Sequence, residues 1–467
     1  MIKLARTTTG TVLFLCDVAL LVLTWPVLLW ASRSSLALSV DSRAVVYPAC
    51  NLVLLFATGL YRRDAIQNTM RSLSRVPLVV GMGAVGALIL SYLQGLLLPG
   101  GVVPSGRSEM VMFGLAAADF SMAAFIARGI VSVLLRRHVL RRRLMIIGAG
   151  QRAWELLLIL GREGSSLHDD VYLVHAPGFG AIDERLASEQ LGRILRPADF
   201  DVAAAAKEVG ADLVIVAPDE RRGMNLQRLL ECKRAGFPVV EYLTFVEKEI
   251  RRIDIKRIEL GWLVFGDGFT FGALDRFLKR VFDLVVSSLV LILTAPLILG
   301  GVIAIRMEGP GPVFYRQERV TQDGRVFWIL KLRTMRPDAE SKGAVWAAVK
   351  DNRITRTGNF LRRARIDELP QLVNILRGDM SFVGPRPERP MFVKELAEQI
   401  PLYNERHMVK AGLTGWAQIN YPYGASVDDA RSKLSYDLYY VKNFSILFDF
   451  VILLQTLRVV LWPSGVR

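Results

Sequence analysis

Long apolar runs separated by short basic segments fill the first third of the chain. Residues 10–31, 44–60, 76–98 and 110–135 each approach the length of about 20 residues that a helix needs to cross a bilayer. They predict a four-helix transmembrane bundle. The first run is too long, and lacks the small-residue cleavage pattern, for a signal peptide, so it is expected to stay attached. Lys3 and Arg6, then Arg62, Arg63, Arg71 and Arg75, then Arg136, Arg137, Arg141, Arg142 and Arg143 fall in alternate connections, against Arg33, Arg43 and Arg107 in the others. That asymmetry places both ends of the bundle in the cytoplasm. Asp119 and Arg128 sit inside the fourth run, where mutual pairing or burial between helices is the simplest expectation.

From residue 141 to 265 the pattern becomes that of an α/β domain. A short apolar strand, 144–147, leads into Gly148-Ala149-Gly150 and a helical pattern over 154–160; further strands are expected at 171–174, 212–217 and 238–242. This succession predicts a Rossmann-like fold. The glycine turn has the form that brings backbone amides to a pyrophosphate at a helix N-terminus. However, strand 171–174 runs into His175-Ala176-Pro177-Gly178 with no acidic residue at its end, and the chain has no Tyr-x-x-x-Lys pair. A structural or regulatory role is therefore expected ahead of dinucleotide binding.

A fifth apolar stretch, 281–305, contains Pro296 and Gly300-Gly301 and is flanked by Lys279, Arg280 and Arg306. Basic residues on both sides argue for a re-entrant helix broken at Pro296, entering and leaving by the cytoplasmic face; a proline-kinked fifth span is the alternative. Near the end, residues 445–462 are interrupted by Asp449, Gln455 and Arg458 and predict a helix lying on the membrane surface. The expected architecture is thus a multi-domain membrane protein: the bundle at 1–140, the Rossmann-like domain at 141–265 and an α/β-type domain with its re-entrant helix at 266–467.

Composition sharpens this picture. The 467 residues are 52% hydrophobic yet carry a formal charge of +15. Anionic headgroups and phosphorylated substrates suit that charge better than nucleic acid, because no zinc-ligand spacing or basic zipper accompanies it. Cys16, Cys50 and Cys232 are too scattered for a disulfide framework, and the four histidines form no ligand pattern.

The chemistry concentrates after residue 310. Lys331-Leu332-Arg333-Thr334-Met335 and Arg353, Arg356, Arg362, Arg363 and Arg365 precede Asp367-Glu368-Leu369-Pro370-Gln371. The pentapeptide predicts a short helix with Leu369, Leu372, Val373 and Leu376 on its apolar face, Pro370 in its first turn and a stop at Gly378. Both carboxylates would stand at its N-terminus, where the dipole lowers their basicity. Two adjacent acids among arginines suit a divalent cation with one acid left to attack phosphorus. Ordinary helix capping explains the same pentapeptide.

Beyond it the residues become distinctive. Lys331 to Met335, Arg365-Ile366-Asp367-Glu368-Leu369-Pro370-Gln371, Asn374, Gly378-Asp379-Met380-Ser381-Phe382-Val383-Gly384-Pro385-Arg386-Pro387 and Gly412-Leu413-Thr414-Gly415-Trp416-Ala417-Gln418 occur in that order. With them, residues 275–467 resemble the bacterial sugar transferases, the monotopic phosphoglycosyl transferases that load a lipid carrier. The whole chain looks like the long-form members of exopolysaccharide synthesis, and residues 418–426 look closest to the exosortase-associated branch. The resemblance implies transfer of a sugar-1-phosphate from a UDP-sugar to polyprenyl phosphate, with Asp367 as nucleophile and Glu368 as its dyad partner. It also implies Mg2+ at the dyad, phosphate contacts from Lys331, Arg333 and Arg362, a nucleotide-side role for Arg386 and Pro387, and Pro296 as the break in the membrane hairpin. Ala295 stands where the family often has Ser, and Ala411 where it often has Pro. Expected partners are the UDP-sugar, polyprenyl phosphate and downstream glycosyltransferases, in the bacterial inner membrane. A homo-oligomer is left open, as is the identity of the sugar.

Overall fold

The computed structural model describes residues 9–31, 42–62, 65–66, 69–97, 107–164, 168–175, 181–188, 193–195, 201–220, 224–258, 268–269, 272–336, 353–421, 424 and 426–461. Lys3, Arg6, Arg33, Arg63, residues 176–178, Pro422, Tyr423, Ala425 and Trp462, used in the sequence reading, lie outside them. The chain divides into two units, Met1–Phe245 and Val246–Arg467.

The first unit begins with four apolar helices, α1 (Thr9–Ala31), α2 (Ser42–Ala57), α3 (Thr69–Leu97) and α4 (Arg107–Arg136). Helix α1 packs on α4, α2 on α3 and α3 on α4. Leu21, Tyr47, Leu55, Val76 and Phe120 meet in one of their cores. Among the described residues, Ser72–Leu90, Gly114–Arg136 and, in the second unit, Ala273–Glu308 are long and apolar enough to cross a membrane; the apolar stretches Thr9–Thr24 and Tyr47–Ala57 are shorter. Arg128 does not pair with Asp119. Its Nη1 lies 3.2 Å from Asp17 Oδ1, and the Tyr61 hydroxyl donates to Asp17 Oδ2 at 2.7 Å. Asp17, on α1, faces Arg128 because those two helices are neighbours, a pairing that residue order within one run does not reveal.

The same unit continues as a five-stranded parallel sheet of order β3-β2-β1-β4-β5. Its strands are β1 (Arg142–Ile147), β2 (His168–Val174), β3 (Arg193–Leu195), β4 (Leu213–Val216) and β5 (Val239–Glu241); α5 (Gln151–Gly164) follows β1. The central strands are apolar and buried on both faces, as parallel sheets require. Strand β3, with three residues, carries too little pattern to be read from sequence.

In the second unit a long helix, α6 (Ala273–Glu308), precedes an antiparallel hairpin of β6 (Phe314–Val320) and β7 (Val326–Leu332). Then come α7 (Arg356–Arg363), α8 (Gln371–Arg377), β8 (Ser381–Val383), α9 (Pro390–Gln399), β9 (Gly412–Thr414), α10 (Val427–Lys442) and α11 (Ile446–Leu461). The segment that follows Phe245 packs within this unit. Ile253 N donates to Ser435 O (2.9 Å), the Trp416 indole to Arg251 O (2.8 Å), and Lys442 pairs with Glu247 at 2.8 Å.

Helix α6 differs from its expectation. It runs unbroken through Pro296 for 36 residues, roughly 54 Å if straight. Both of its ends nevertheless pack on the same unit. Near the start, Arg280 donates to Ile375 O and Leu376 O, both at 2.7 Å, and Asp283 accepts from Ser381 Oγ and Phe382 N. Near the end, Gly301 lies so close to Leu332 that a Cβ would stand 2.9 Å from its Cδ1. Between them Ile292, Leu293, Leu297 and Leu299 are exposed, and so is Pro296. The Thr294 hydroxyl donates back to Val290 O at 2.7 Å, a bond that favours bending next to a proline.

Helix α11 is inverted relative to an ordinary surface helix. Asp449 and Gln455 are buried, while Leu447, Phe450 and Val460 are exposed. Asp449 pairs with Lys279 at 2.5 Å and accepts from Tyr440 at 2.8 Å, and Arg458 donates to Ile419 O. Asp449 and Arg458 thus find partners inside the protein instead of facing water.

Candidate active site

Three local structures converge on Asp367 and Glu368. The first is β7, which carries Lys331 opposite Tyr315 of β6. The second is the turn between α7 and α8. Arg365 adopts a left-handed conformation, φ 55°, and a single 3-10 turn, Ile366–Glu368, follows it. The acids therefore stand on this turn just before α8, not in the helix's own first turn, and Pro370 occupies the N-cap. Asn374 then fixes α8 to the strand. Its amide donates to Trp328 O (2.8 Å) and its carbonyl accepts from Leu330 N (3.0 Å), as a neighbouring strand would. That bond pair sets Glu368 beside Lys331.

The third structure is the loop after β8. Gly384 N donates to Thr414 O (2.9 Å) and Gly412 N to Pro385 O (2.8 Å). Backbones cross here so closely that a Cβ on Gly412 would lie 2.1 Å from Gly384 N. Arg406, buried and paired with Asp437 at 2.8 Å, donates to Arg386 O at 2.9 Å. The Arg386 guanidinium is thereby delivered to Glu368.

Glu368 is the saturated acid. Its Oε1 lies 2.8 Å from Arg386 and 3.3 Å from Lys331, and its Oε2 lies 3.5 Å from Arg365. Burial alone would raise its pKa, but these cations hold it well below the usual carboxylate range. Asp367 is buried at 8% exposure, and no ion pair to its carboxylate is found among the described residues. Burial, with the charge of Glu368, pushes its pKa up to about 6 against the opposing pull of Lys331, Arg362 and Arg386. The lowering expected for both acids is found at Glu368, where the cations cause it, and is reversed at Asp367. Near neutral pH Asp367 is still mostly ionised, and it is more basic than an ordinary aspartate.

The family model described as bacterial sugar transferase matches residues 274–463. Over 252 residues the chain is 39% identical to a UDP-N-acetylgalactosamine-undecaprenyl-phosphate N-acetylgalactosaminephosphotransferase of Aeromonas hydrophila, covering 53% of this chain and 58% of that protein. Over 184 residues it is 39% identical to a UDP-glucose:undecaprenyl-phosphate glucose-1-phosphate transferase of Escherichia coli K12, covering 39% and 40%. Over 192 residues it is 40% identical to the exopolysaccharide production protein PSS of Rhizobium leguminosarum bv. phaseoli, covering 39% of this chain and 94% of that one. The chain belongs to the bacterial sugar transferase family. It spans about half the length of the first two relatives.

Within this sugar transferase region the structure sorts the expected residues. Lys331, Arg362 and Arg386 surround the dyad; Arg362 is oriented by a bond from its Nε to Thr334 Oγ1 at 2.8 Å. Arg333 does not join them. Its guanidinium turns to the end of α6, donating to Pro310 O (2.8 Å) and Gly309 O (3.1 Å), because β7 ends at Leu332 and the next side chain no longer follows the strand's alternation. Pro387 offers only its carbonyl, to Arg319 at 3.0 Å, and Pro296 lies in the exposed middle of α6. Sequence reasoning missed Arg406 and Asp437, which with Arg319 hold the Arg386 loop; no spacing connects Arg406 with Asp437, 31 positions apart by number.

Among the described residues no group of three or more His, Cys, Asp or Glu could hold a metal ion. The two adjacent acids still suit Mg2+, which commonly takes one or two carboxylates, keeps waters and completes its shell with substrate phosphates. Asp367 is the freer ligand of the two, since both oxygens of Glu368 face cations.

In the first unit, the glycine turn after β1 is closed by the protein itself. Gly148 has φ 112°, and Asp219 accepts from Gln151 N (2.6 Å) and Arg152 N (2.9 Å) at the start of α5. A carboxylate therefore occupies the position that a pyrophosphate would take.

Proposed function

We propose that this protein transfers a sugar-1-phosphate from a UDP-sugar to polyprenyl phosphate, undecaprenyl phosphate in bacteria, giving polyprenyl-diphosphate-sugar and UMP as the first step of exopolysaccharide synthesis. The observation that carries the reading is the asymmetry of the dyad. Three cations fix Glu368, while Asp367 beside it has no ion partner among the described residues and raised basicity.

In the first step an Asp367 oxygen attacks the β-phosphorus. The bond from that phosphorus to the oxygen bridging to the α-phosphate breaks, and UMP leaves with the electron pair. Lys331, Arg362 and Arg386 offset the charge that gathers on the phosphoryl oxygens. In the second step a phosphate oxygen of the lipid attacks the same phosphorus, the bond to Asp367 breaks and the carboxylate is restored. Bound Mg2+, held by Asp367 and more weakly by Glu368, would supply charge neutralisation on the donor's diphosphate. The two relatives act on different sugars by name, N-acetylgalactosamine and glucose, so the donor is tested as a class.

For localisation we read the four apolar helices as a transmembrane bundle, the parallel sheet as Rossmann-like and cytoplasmic, and α6 as re-entrant in the bacterial inner membrane. Both ends of α6 pack on one unit while its apolar middle is exposed, and α11 likewise presents apolar side chains outward. These features support a catalytic unit seated at headgroup depth, on the same face as the polyprenyl phosphate head.

The test is UMP release by purified full-length protein with Mg2+, polyprenyl phosphate and a panel of UDP-sugars. Acceptor-dependent UMP release with at least one donor is expected. Release of UDP instead, or no release with any donor, refutes the proposal.

A further inference from the structure

A helix leaves its last carbonyls without intrahelical partners, and at the exit of α6 a side chain from the catalytic hairpin gathers the carbonyl of Ile305 with those of the two residues that follow the helix. Arg333 Nη1 donates to Pro310 O at 2.8 Å, and its Nη2 to Gly309 O at 3.1 Å and Ile305 O at 3.5 Å. A cation at that position also meets the negative end of the helix dipole. The capping is reciprocal. Glu308, the last residue of α6, accepts from Thr357 N at 3.1 Å in the first turn of α7. Thr334 closes the junction: its carbonyl accepts from Thr355 N (3.1 Å) and its hydroxyl from Arg362 Nε (2.8 Å). A Cβ on Gly358 would stand 2.1 Å from the Thr334 oxygen, so the contact admits no looser fit. Ile305, Val313, Leu332 and Leu361 form the apolar floor.

The two segments stitched to α6 are those that present Lys331 and Arg362 to the dyad. We propose that Arg333 and Glu308 are positioning residues: they lock the exit of the long apolar helix to β7 and α7, and Arg333 contacts no donor phosphate. Lys331 stands two residues before Arg333, about 7 Å along the strand, so slack at the cap is passed to the site within one strand repeat. Loss of the cap then lowers turnover and leaves donor binding intact. The kinetic half of this inference rests on the proposed transferase reaction; the structural half does not.

The experiment uses the full chain in nanodiscs, as wild type, Arg333→Ala, Arg333→Lys and Glu308→Gln. Hydrogen exchange without substrates reads the cap directly. In Arg333→Ala, exchange over 302–309 and 355–363 should rise about tenfold, and in Glu308→Gln over 355–363, with residues 427–442 unchanged. UMP release against UDP-sugar concentration reads the consequence: kcat falls about tenfold in Arg333→Ala with the half-saturating donor concentration within about twofold. Arg333→Lys should recover part of the loss, since an ammonium reaches fewer of the three carbonyls. A tenfold rise in half-saturating donor at unchanged kcat overturns the inference in favour of a phosphate contact. Wild-type exchange over 355–363 in Glu308→Gln overturns the reciprocal cap. If Arg333→Ala does not fold, Arg333→Lys and Glu308→Gln carry the same readouts. If wild type releases no UMP with any donor, the proposed reaction fails and exchange alone decides the cap.

Discussion

At the start of α5, the amides of Gln151 and Arg152 converge on the Asp219 carboxylate; beside β7, Lys331, Arg365 and Arg386 converge on Glu368. Both are anion-binding arrangements filled by the chain's own acid. The difference lies in what stands next to them. At the glycine turn the other acid, Asp183, whose N donates to Ala149 O at 2.9 Å, is itself paired with Arg185, and Gly150 is so close that a Cβ would fall 2.0 Å from the Asp219 carboxylate. Beside Glu368 stands Asp367, which shares the cations' field and has no ion pair of its own among the described residues. A filled anion site is a structural joint, whereas a filled site with a spare acid has the parts of a reactive centre.

Changes to the spare acid should matter most. Asp367→Asn keeps size and hydrogen-bonding capacity but removes the nucleophile, so UMP release should fall on the order of 10³-fold or more, with the fold retained by circular dichroism. Retained turnover would make the two sites alike. Removing a cation should cost less: Arg386→Met or Lys331→Met is expected to lower kcat roughly 10²-fold, since each loses one charge-stabilising donor.

The pH profile sharpens the contrast. Asp367 must be ionised to attack, and its pKa is raised to about 6, so the first half-reaction should rise as pH climbs through about 6 and level off above it. Glu368→Gln removes a repelling charge and leaves Lys331 and Arg386 facing Asp367, which moves the midpoint downward. An unchanged or higher midpoint would contradict the coupling. The smallest effect is expected at the closed site. Asp219→Ala should cost about 1 kcal/mol, like loss of a helix cap, visible as faster hydrogen exchange in the first turn of α5. UMP release should be unaffected.

The contrast was only half legible in the sequence. Apolar runs placed α1, α2 and α4 to within about three residues and α3 to within about seven at its start, because a long apolar helix needs continuous length and no tertiary detail. The glycine turn and the pentapeptide at Asp367 were equally visible, since both depend on neighbouring residues. What distinguishes them was not. Asp219 reaches the glycine turn from 68 positions away, and Arg386 reaches Glu368 from 18. Arg333 illustrates the limit, for it shares a motif with Lys331 and yet turns to a helix end once the strand stops. Pro296 was read as a break, but helical structure continues through it. Asp449 looked like an interruption of α11 by water-seeking charge and is instead buried against Lys279 and Tyr440.

The spare-acid reading meets its most direct test in covalent labelling. Full-length protein is incubated with Mg2+ and a UDP-sugar labelled at the β-phosphate, without lipid acceptor, then denatured and separated from free label. Wild type and Glu368→Gln should both retain label, in a bond cleaved by hydroxylamine, and Asp367→Asn should retain none. Equal label on Asp367→Asn, or none on a wild type that still turns over, would contradict a covalent role for Asp367.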